Sequence, residues 1–196
     1  MSTNSINTPW STVGYLTYKR TYARAIEGTD RTEEFPETVE RILKACQEQL
    51  KCGFTKEEED RLRFYFLSLK CSVAGRFWWQ LGTQTVNRLG LASLQNCAFT
   101  VVDHPIRPFC WAMDMLALGS GVGYNIQRKH VDKLPVIRDW FVAPTRVDHG
   151  GADFIIPDSR EGWVKFLGKT LKAAFLSDSK EKGTFTYSTQ VVRGRG

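Results

Sequence analysis

No segment of this 196-residue chain comes near the ~18 consecutive apolar residues that a membrane-spanning helix needs, and the longest apolar stretches, residues 64–69 and 109–118, are far shorter. No membrane partner is therefore expected. The opening residues Met1-Ser2-Thr3-Asn4-Ser5 carry neither a basic segment nor an apolar run, so no secretory leader is expected there and the expected compartment is cytoplasmic. Histidine is scarce: His104, His130 and His149 do not stand at ligand spacing, and no Ser/His/Asp order suggests a hydrolase. The five cysteines, Cys46, Cys52, Cys71, Cys97 and Cys110, include no C-x-x-C pair and have no His at zinc-finger spacing. No metal site is expected, and the cysteines read as thiols. A complete Gly-x-x-x-x-Gly-Lys-Ser/Thr phosphate loop is also missing, since Gly168-Lys169-Thr170 has Trp163 where the first glycine would stand.

What remains is an ordinary globular composition, 42% hydrophobic and 24% charged, which excludes a disordered or collagen-like chain. At this length a sizeable core is available, since ~150 residues already bury about 70% of their unfolded surface. The net charge of +6 (27 Lys+Arg against 21 Asp+Glu) would suit a polyanion. The basic residues are scattered, however, and often neighbour acids, as in Lys56-Glu57-Glu58-Glu59-Asp60-Arg61. They form no stripe, so nucleic acid is not the expected partner, although the Phe77-Trp78-Trp79 cluster keeps a single-strand-binding module as a minor alternative.

Residues 1 to about 35 are polar and punctuated by Pro9, Gly14 and Gly28, which predicts an arm or irregular lead-in. From Pro36 to Leu50 the positions Val39, Ile42, Leu43, Cys46 and Leu50 recur at helical spacing and place Cys46 on the buried stripe. Thr55 and Glu58 have the form of a capping box, opening a second helix with Leu62, Tyr65, Phe66 and Leu69 on one face. The aromatic cluster of residues 75–82 reads as core or interface. From Ser93 the pattern changes: a strand over residues 98–102, a helix over about 108–118, a glycine-rich connection at 119–123, and strands at 124–126 and 154–156. A last helix follows, capped by Asp158 with Glu161 at the capping-box position. Strands alternating with helices predict an α/β half with a largely parallel sheet. The expected division is 1–90, arm and helical region, and 91–196, the α/β part.

Two features carry chemistry. Gly119-Ser120-Gly121-Val122-Gly123 lies after a helix and before a strand, the reverse of the order a dinucleotide loop needs, but three positions without Cβ let a ligand or another backbone approach closely. A tight helix-to-strand connection is the competing reading. Cys97, in Asn96-Cys97-Ala98-Phe99, stands where a strand begins, so its thiol can face a pocket at the strand end or simply pack.

Asn96-Cys97-Ala98-Phe99, followed by the Met113–Asn125 segment with its glycine run, resembles the catalytic subunit of ribonucleotide reductases, and within them the adenosylcobalamin-dependent class II branch. Tyr18-x-Arg20-x-Tyr22-x-Arg24, Leu134-Pro135 and Asp158-Ser159-Arg160-Glu161-Gly162-Trp163 agree in the same order, so the likeness covers most of residues 15–195. It implies the first part of a ten-stranded α/β barrel, incomplete in this chain, and reduction of a ribonucleotide 2′-hydroxyl by thiyl-radical chemistry. Such a reduction consumes two electrons, which two thiols supply on closing to a disulfide. The resemblance makes Cys97 one of that redox pair, Asn96, Ser120 and Gly121 substrate-binding through backbone groups, and Asp103, with residues 127–133, a candidate for a nucleotide effector. It further implies adenosylcobalamin, held mainly elsewhere, and a thiol reductant such as thioredoxin.

The family's Asn-x-Cys-x-Glu radical cysteine and the second redox cysteine are absent from these 196 residues. A complementary C-terminal reductase polypeptide, or a longer chain of which this is a part, is therefore expected to carry them. A non-catalytic nucleotide-binding or regulatory subunit with a reductase-like fold is the alternative.

Overall fold

The computed structural model describes residues 10–148, 150–176 and 184–194. His149 and residues 178–183 of the polar tail lie outside them. The chain divides into two compact units, residues 1–95 and 96–196.

The first unit is helical. Within the stretch expected to be an irregular arm, Thr12–Thr21 forms a helix (α1), because Ser11 accepts the Gly14 N–H at 3.3 Å and caps it, and Tyr18 is buried on its inner face. Thr and Ser composition suggested a coil; docking of the tyrosine overrides it. Helix α2 (Phe35–Glu48) opens with Pro36 in its first turn and a reciprocal box between Glu34 and Glu37, and buries Val39, Ile42 and Leu43. Helix α3 (Lys56–Leu67) begins at the Thr55–Glu58 capping box, as expected, and packs on α2. Of its predicted face Phe66 is buried, whereas Tyr65 and Leu69 stay exposed, the latter beyond the helix end. Two short helices, α4 (Gly75–Gln80) and α5 (Gln84–Leu89), and a 3₁₀ turn at Leu91–Leu94 complete the unit. The aromatic cluster splits: Phe77 and Trp78 pack against the core, and Trp79 is exposed.

One polar knot ties this core together. The buried Glu33 carboxylate accepts from Arg41 Nε at 2.7 Å, Thr38 Oγ1 at 2.8 Å and the Arg24 N–H at 3.1 Å. Arg41 also donates to the Trp78 carbonyl at 2.9 Å and to that of Leu81, linking α2 to the end of α4. A charge removed from water is tolerated only when paired and saturated with hydrogen bonds, as here.

The second unit is α/β. Strand β1 (Cys97–Val101) and strand β2 (Gly121–Asn125) pair in parallel, joined by helix α6 (Arg107–Ala117), which packs against both. A four-residue turn of helix, α7 (Arg128–Val131), follows. Strands β3 (Thr145–Arg146), β4 (Phe154–Ile155) and β5 (Thr186–Ser188) form a second sheet in the order β3-β5-β4, both pairings parallel. β3 and β5 are too short for alternation to announce them. Helix α8 (Arg160–Phe175) covers this sheet through Phe166, whose ring meets those of Phe154, Phe185 and Tyr187. Arg160 bridges to Asp114 and so fastens α8 to α6.

Two local expectations are corrected. The cap of α8 is Ser159, which accepts the Gly162 N–H at 3.1 Å, and not Asp158, because the chain turns one residue later. The glycine run is not a loop before a strand at 124–126; the strand itself begins at Gly121.

Candidate functional site

The three glycines of the run do three different things. Gly119 adopts φ +85° just past the end of α6, where the Ser120 N–H donates to the Met115 carbonyl at 3.0 Å and its own N–H to that of Leu116 at 2.8 Å. This pattern closes a helix with a left-handed residue, which glycine adopts without a Cβ penalty. Gly121 and Gly123 lie in β2, opposite Cys97 and Phe99 of β1. Aligned residues of a parallel pair share a face, so Cys97, Gly121, Phe99 and Gly123 occupy one side of this small sheet. All four are exposed, whereas Ala98 and Val122 on the other side are half-buried.

A Cβ on Gly123 would come within 3.1 Å of the Phe99 ring, so the absence of a side chain there is already used by the phenylalanine. Around Gly121 the nearest atom to a would-be Cβ is the Asn96 carbonyl oxygen at 3.9 Å. Open space therefore lies beside the Cys97 thiol, at the position where any other residue of β2 would project. The structure thus brings together Asn96, Cys97, Ser120 and Gly121 at the start of the two parallel strands.

Their backbone groups are less free than the sequence suggests. The Gly121 N–H donates to the Asn96 carbonyl at 2.9 Å and the Ser120 N–H is held by Met115, so neither amide is available to a ligand. Ser120 itself is buried. The Asn96 side chain is exposed and makes no hydrogen bond among the described residues, which leaves its amide as the polar group nearest in sequence to the thiol.

Asp103 is not part of this cluster. It is exposed and follows the far end of β1, roughly 15–20 Å from Cys97 at ~3.3 Å per strand residue. The neighbouring His104 has a structural task that its isolated position in the sequence did not announce: its Nδ1 accepts the N–H groups of Ile106 and Arg107 at 3.0 and 3.2 Å, capping the start of α6.

The other cysteines differ from Cys97. Burial pushes the Cys46 thiol up to about 11, with the adjacent Cys52 adding to the shift, and burial also raises that of Cys110. Cys46, Cys71 and Cys110 are half-buried, while Cys97 and Cys52 face solvent. Among the described residues no group of His, Cys, Asp and Glu is arranged to hold a metal ion. Among the described residues no helix is long and apolar enough to cross a membrane.

Comparison with known proteins follows the same lines. Residues 2–83 match the family model of the ribonucleotide reductase alpha domain. The chain is 27% identical to the adenosylcobalamin-dependent ribonucleoside-triphosphate reductase of Levilactobacillus brevis, over 89% of its own length and 31% of that protein. It is 32% identical to the enzyme of the same name from Euglena gracilis, over 83% of its length and 24% of the relative. A crystal structure of a B12-dependent (class II) ribonucleotide reductase superposes with a TM-score of 0.78 at 24% identity, covering 94% of this chain and 33% of that one. The chain thus spans about a third or less of the length of the relatives it matches. Its mixed helices and parallel strands reproduce part, and not the whole, of that fold. On sequence and on fold alike, the chain is similar to part of the adenosylcobalamin-dependent, class II ribonucleotide reductases, and its residues 2–83 match the alpha domain of that family.

Proposed function

We propose that this chain is the N-terminal part of a ribonucleotide reductase acting in the cytoplasm, in which Cys97 is one of two thiols that reduce a ribonucleotide to its 2′-deoxy form. One observation carries the reading: an exposed thiol at the first residue of a strand, facing open space that Gly121 leaves on the neighbouring strand. A sugar ring needs room immediately beside the reductant, and a β-strand normally fills that room with a side chain. Atoms and electrons balance as follows: the C2′–OH bond breaks, the oxygen leaves as water, C2′ gains hydrogen, and two thiols lose two electrons in closing to a disulfide. A dithiol protein of the thioredoxin kind would return that disulfide to thiols.

Asn96 is the side chain placed to orient the substrate, with Ser120 and Gly121 shaping the pocket floor and not donating to it. Asp103, at the opposite end of β1, suits a separate nucleotide effector site. In this reading residues 1–90 are the arm and helical region and residues 91–196 the first part of the barrel, with a complementary polypeptide or continuation supplying the radical cysteine and the second redox thiol.

Adenosylcobalamin is named for the relatives. An apolar cavity of the helical unit, about 350 Å³ between Trp10, Tyr18, Phe35 and Trp78, is too small for a corrin, and among the described residues no cluster of His, Cys, Asp and Glu is arranged to hold a metal ion. These residues therefore do not fit the cofactor, its binding is assigned to the remainder of the enzyme, and no step of the chemistry is routed through it.

The test is Cys97→Ser in the complex reconstituted with a polypeptide carrying an Asn-x-Cys-x-Glu segment, assayed for deoxyribonucleotide formation. Loss of at least about 100-fold in turnover, with ribonucleotide binding retained, is expected for a redox thiol. Unchanged turnover would overturn the assignment and favour a regulatory subunit.

A further inference from the structure

Two cysteines outside the Cys97 site meet at the turn between α2 and α3. Cys46 lies in the last turn of α2, and the chain then reverses so that the Cys52 N–H donates to the Cys46 carbonyl at 3.0 Å. A bond of that length between their backbones brings the two Cα atoms to about the 4.4–6.8 Å that a disulfide spans. The reversal is firmly held. Lys51 (φ 55°) and Gly53 (φ 66°) take left-handed conformations, and the Leu50 N–H donates to the Ala45 carbonyl at 3.2 Å. The Gln47 amide clamps Phe54 from both sides, accepting its N–H at 3.1 Å and donating to its carbonyl at 2.9 Å.

Burial raises the Cys46 thiol above its usual range, and the nearby Cys52 thiol adds to the rise. Their exposure differs, Cys52 facing solvent and Cys46 packing against the core of the helical unit.

We propose that Cys46 and Cys52 form a redox-responsive thiol pair that closes to an intrachain disulfide by exchange with a low-molecular-weight disulfide such as glutathione disulfide. The exposed Cys52, as its thiolate, attacks one sulfur of glutathione disulfide; the S–S bond breaks and one glutathione leaves. Cys46 then gives its proton to solvent and attacks the Cys52 sulfur of the mixed disulfide, forming the Sγ–Sγ bond and expelling the second glutathione. Two protein thiols are oxidised by two electrons, and one glutathione disulfide is reduced to two glutathiones. Exposure sets the roles, because the attacking thiol must reach the oxidant and the resolving thiol only its neighbour.

The experiment equilibrates the full chain with buffers of graded glutathione disulfide to glutathione ratio, quenches in acid, alkylates free thiols and digests with trypsin. Cleavage after Lys51 separates the two cysteines, so the disulfide is read as peptide 45–51 linked to peptide 52–56. The link should be half-formed at a ratio at least about tenfold lower than for the same chain in concentrated urea, reflecting the effective concentration that the fold creates. Cys71→Ser and Cys97→Ser should leave it unchanged, and Cys46→Ser should trap glutathione on Cys52. If the folded chain needs as much oxidant as the unfolded one, or if wild-type Cys52 stops at the glutathione adduct, the proposal is wrong.

Discussion

At the scale of single residues, the two glycines on the open face of β2 should respond differently to the same change. Gly121→Val would project into empty space beside Cys97, so the urea midpoint should hold or rise slightly while deoxyribonucleotide formation in the reconstituted enzyme falls by at least about tenfold. Gly123→Val would strike the Phe99 ring and lower the midpoint as well. Gly162 shows a purely structural demand: a Cβ there would sit 2.5 Å from the Pro157 carbonyl oxygen, and Gly162→Ala should cost about 1–3 kcal/mol in urea unfolding. Glu33 and Glu37 set the acid limit. Burial works to raise the Glu33 carboxyl, but the hydrogen bonds from Arg41, Thr38 and the Arg24 amide outweigh it and leave it below the usual value; Arg31 and the Glu34 amide pull Glu37 down to about 2. Carboxylates depressed by folding stabilise above their unfolded pKa, and that contribution disappears as pH falls through the folded value. Stability should therefore decline between about pH 5 and pH 2. Arg41→Ala should cost about 3 kcal/mol at neutral pH by stranding the Glu33 charge, and should flatten the decline.

At the scale of elements, the capping residues determine where helices begin, and they were only partly readable. Thr55–Glu58 and its helix stand as the pattern predicts, since a capping box is local chemistry. For α8 the pattern points to Asp158, three residues before Glu161, whereas the helix is capped by the next residue, Ser159. The turn at Pro157, where the Ser159 N–H donates to the Pro157 carbonyl at 2.7 Å, selects the serine. Ser159→Ala should accordingly cost about 1 kcal/mol, measured by urea unfolding, and Asp158→Ala only a few tenths. Helix α1 was missed because its polar composition carries a weak amphipathic signal; what keeps it helical is Tyr18, buried between Trp10 and Phe35 and bonded through its hydroxyl to Thr38 at 2.6 Å. β3 and β5 were missed for a different reason. Two- and three-residue strands are created by their neighbours, here by parallel pairing under the Phe166 ring.

At the scale of the whole molecule, each unit has its own internal packing, but the β1–β2 pair is a two-stranded parallel sheet, and parallel sheets are ordinarily extended and covered on both faces. Phe99 and Ile126, 63% and 70% exposed, lie on or just after these strands. Unpaired edges and exposed apolar side chains invite association. Native mass measurement of the protein purified through a tag on this chain should find it either joined to a polypeptide bearing the Asn-x-Cys-x-Glu segment or continuing beyond residue 196. A stable lone monomer would count against the reductase reading.

Local pattern is sufficient, without coordinates, for the helical pair α2–α3, the βαβ arrangement around α6, the parallel character of the sheets and the singling out of Cys97, because periodicity, caps and collinear motifs are written residue by residue. It is not sufficient for the register that sets Cys97 against Gly121, the commitment of the Ser120 and Gly121 amides, the separation of Asp103 from the thiol, or the meeting of Cys46 and Cys52. Each of these depends on where two distant or reversed stretches of backbone come to rest. That is decided by burial and by hydrogen bonding across the fold, and no window of neighbouring residues contains it.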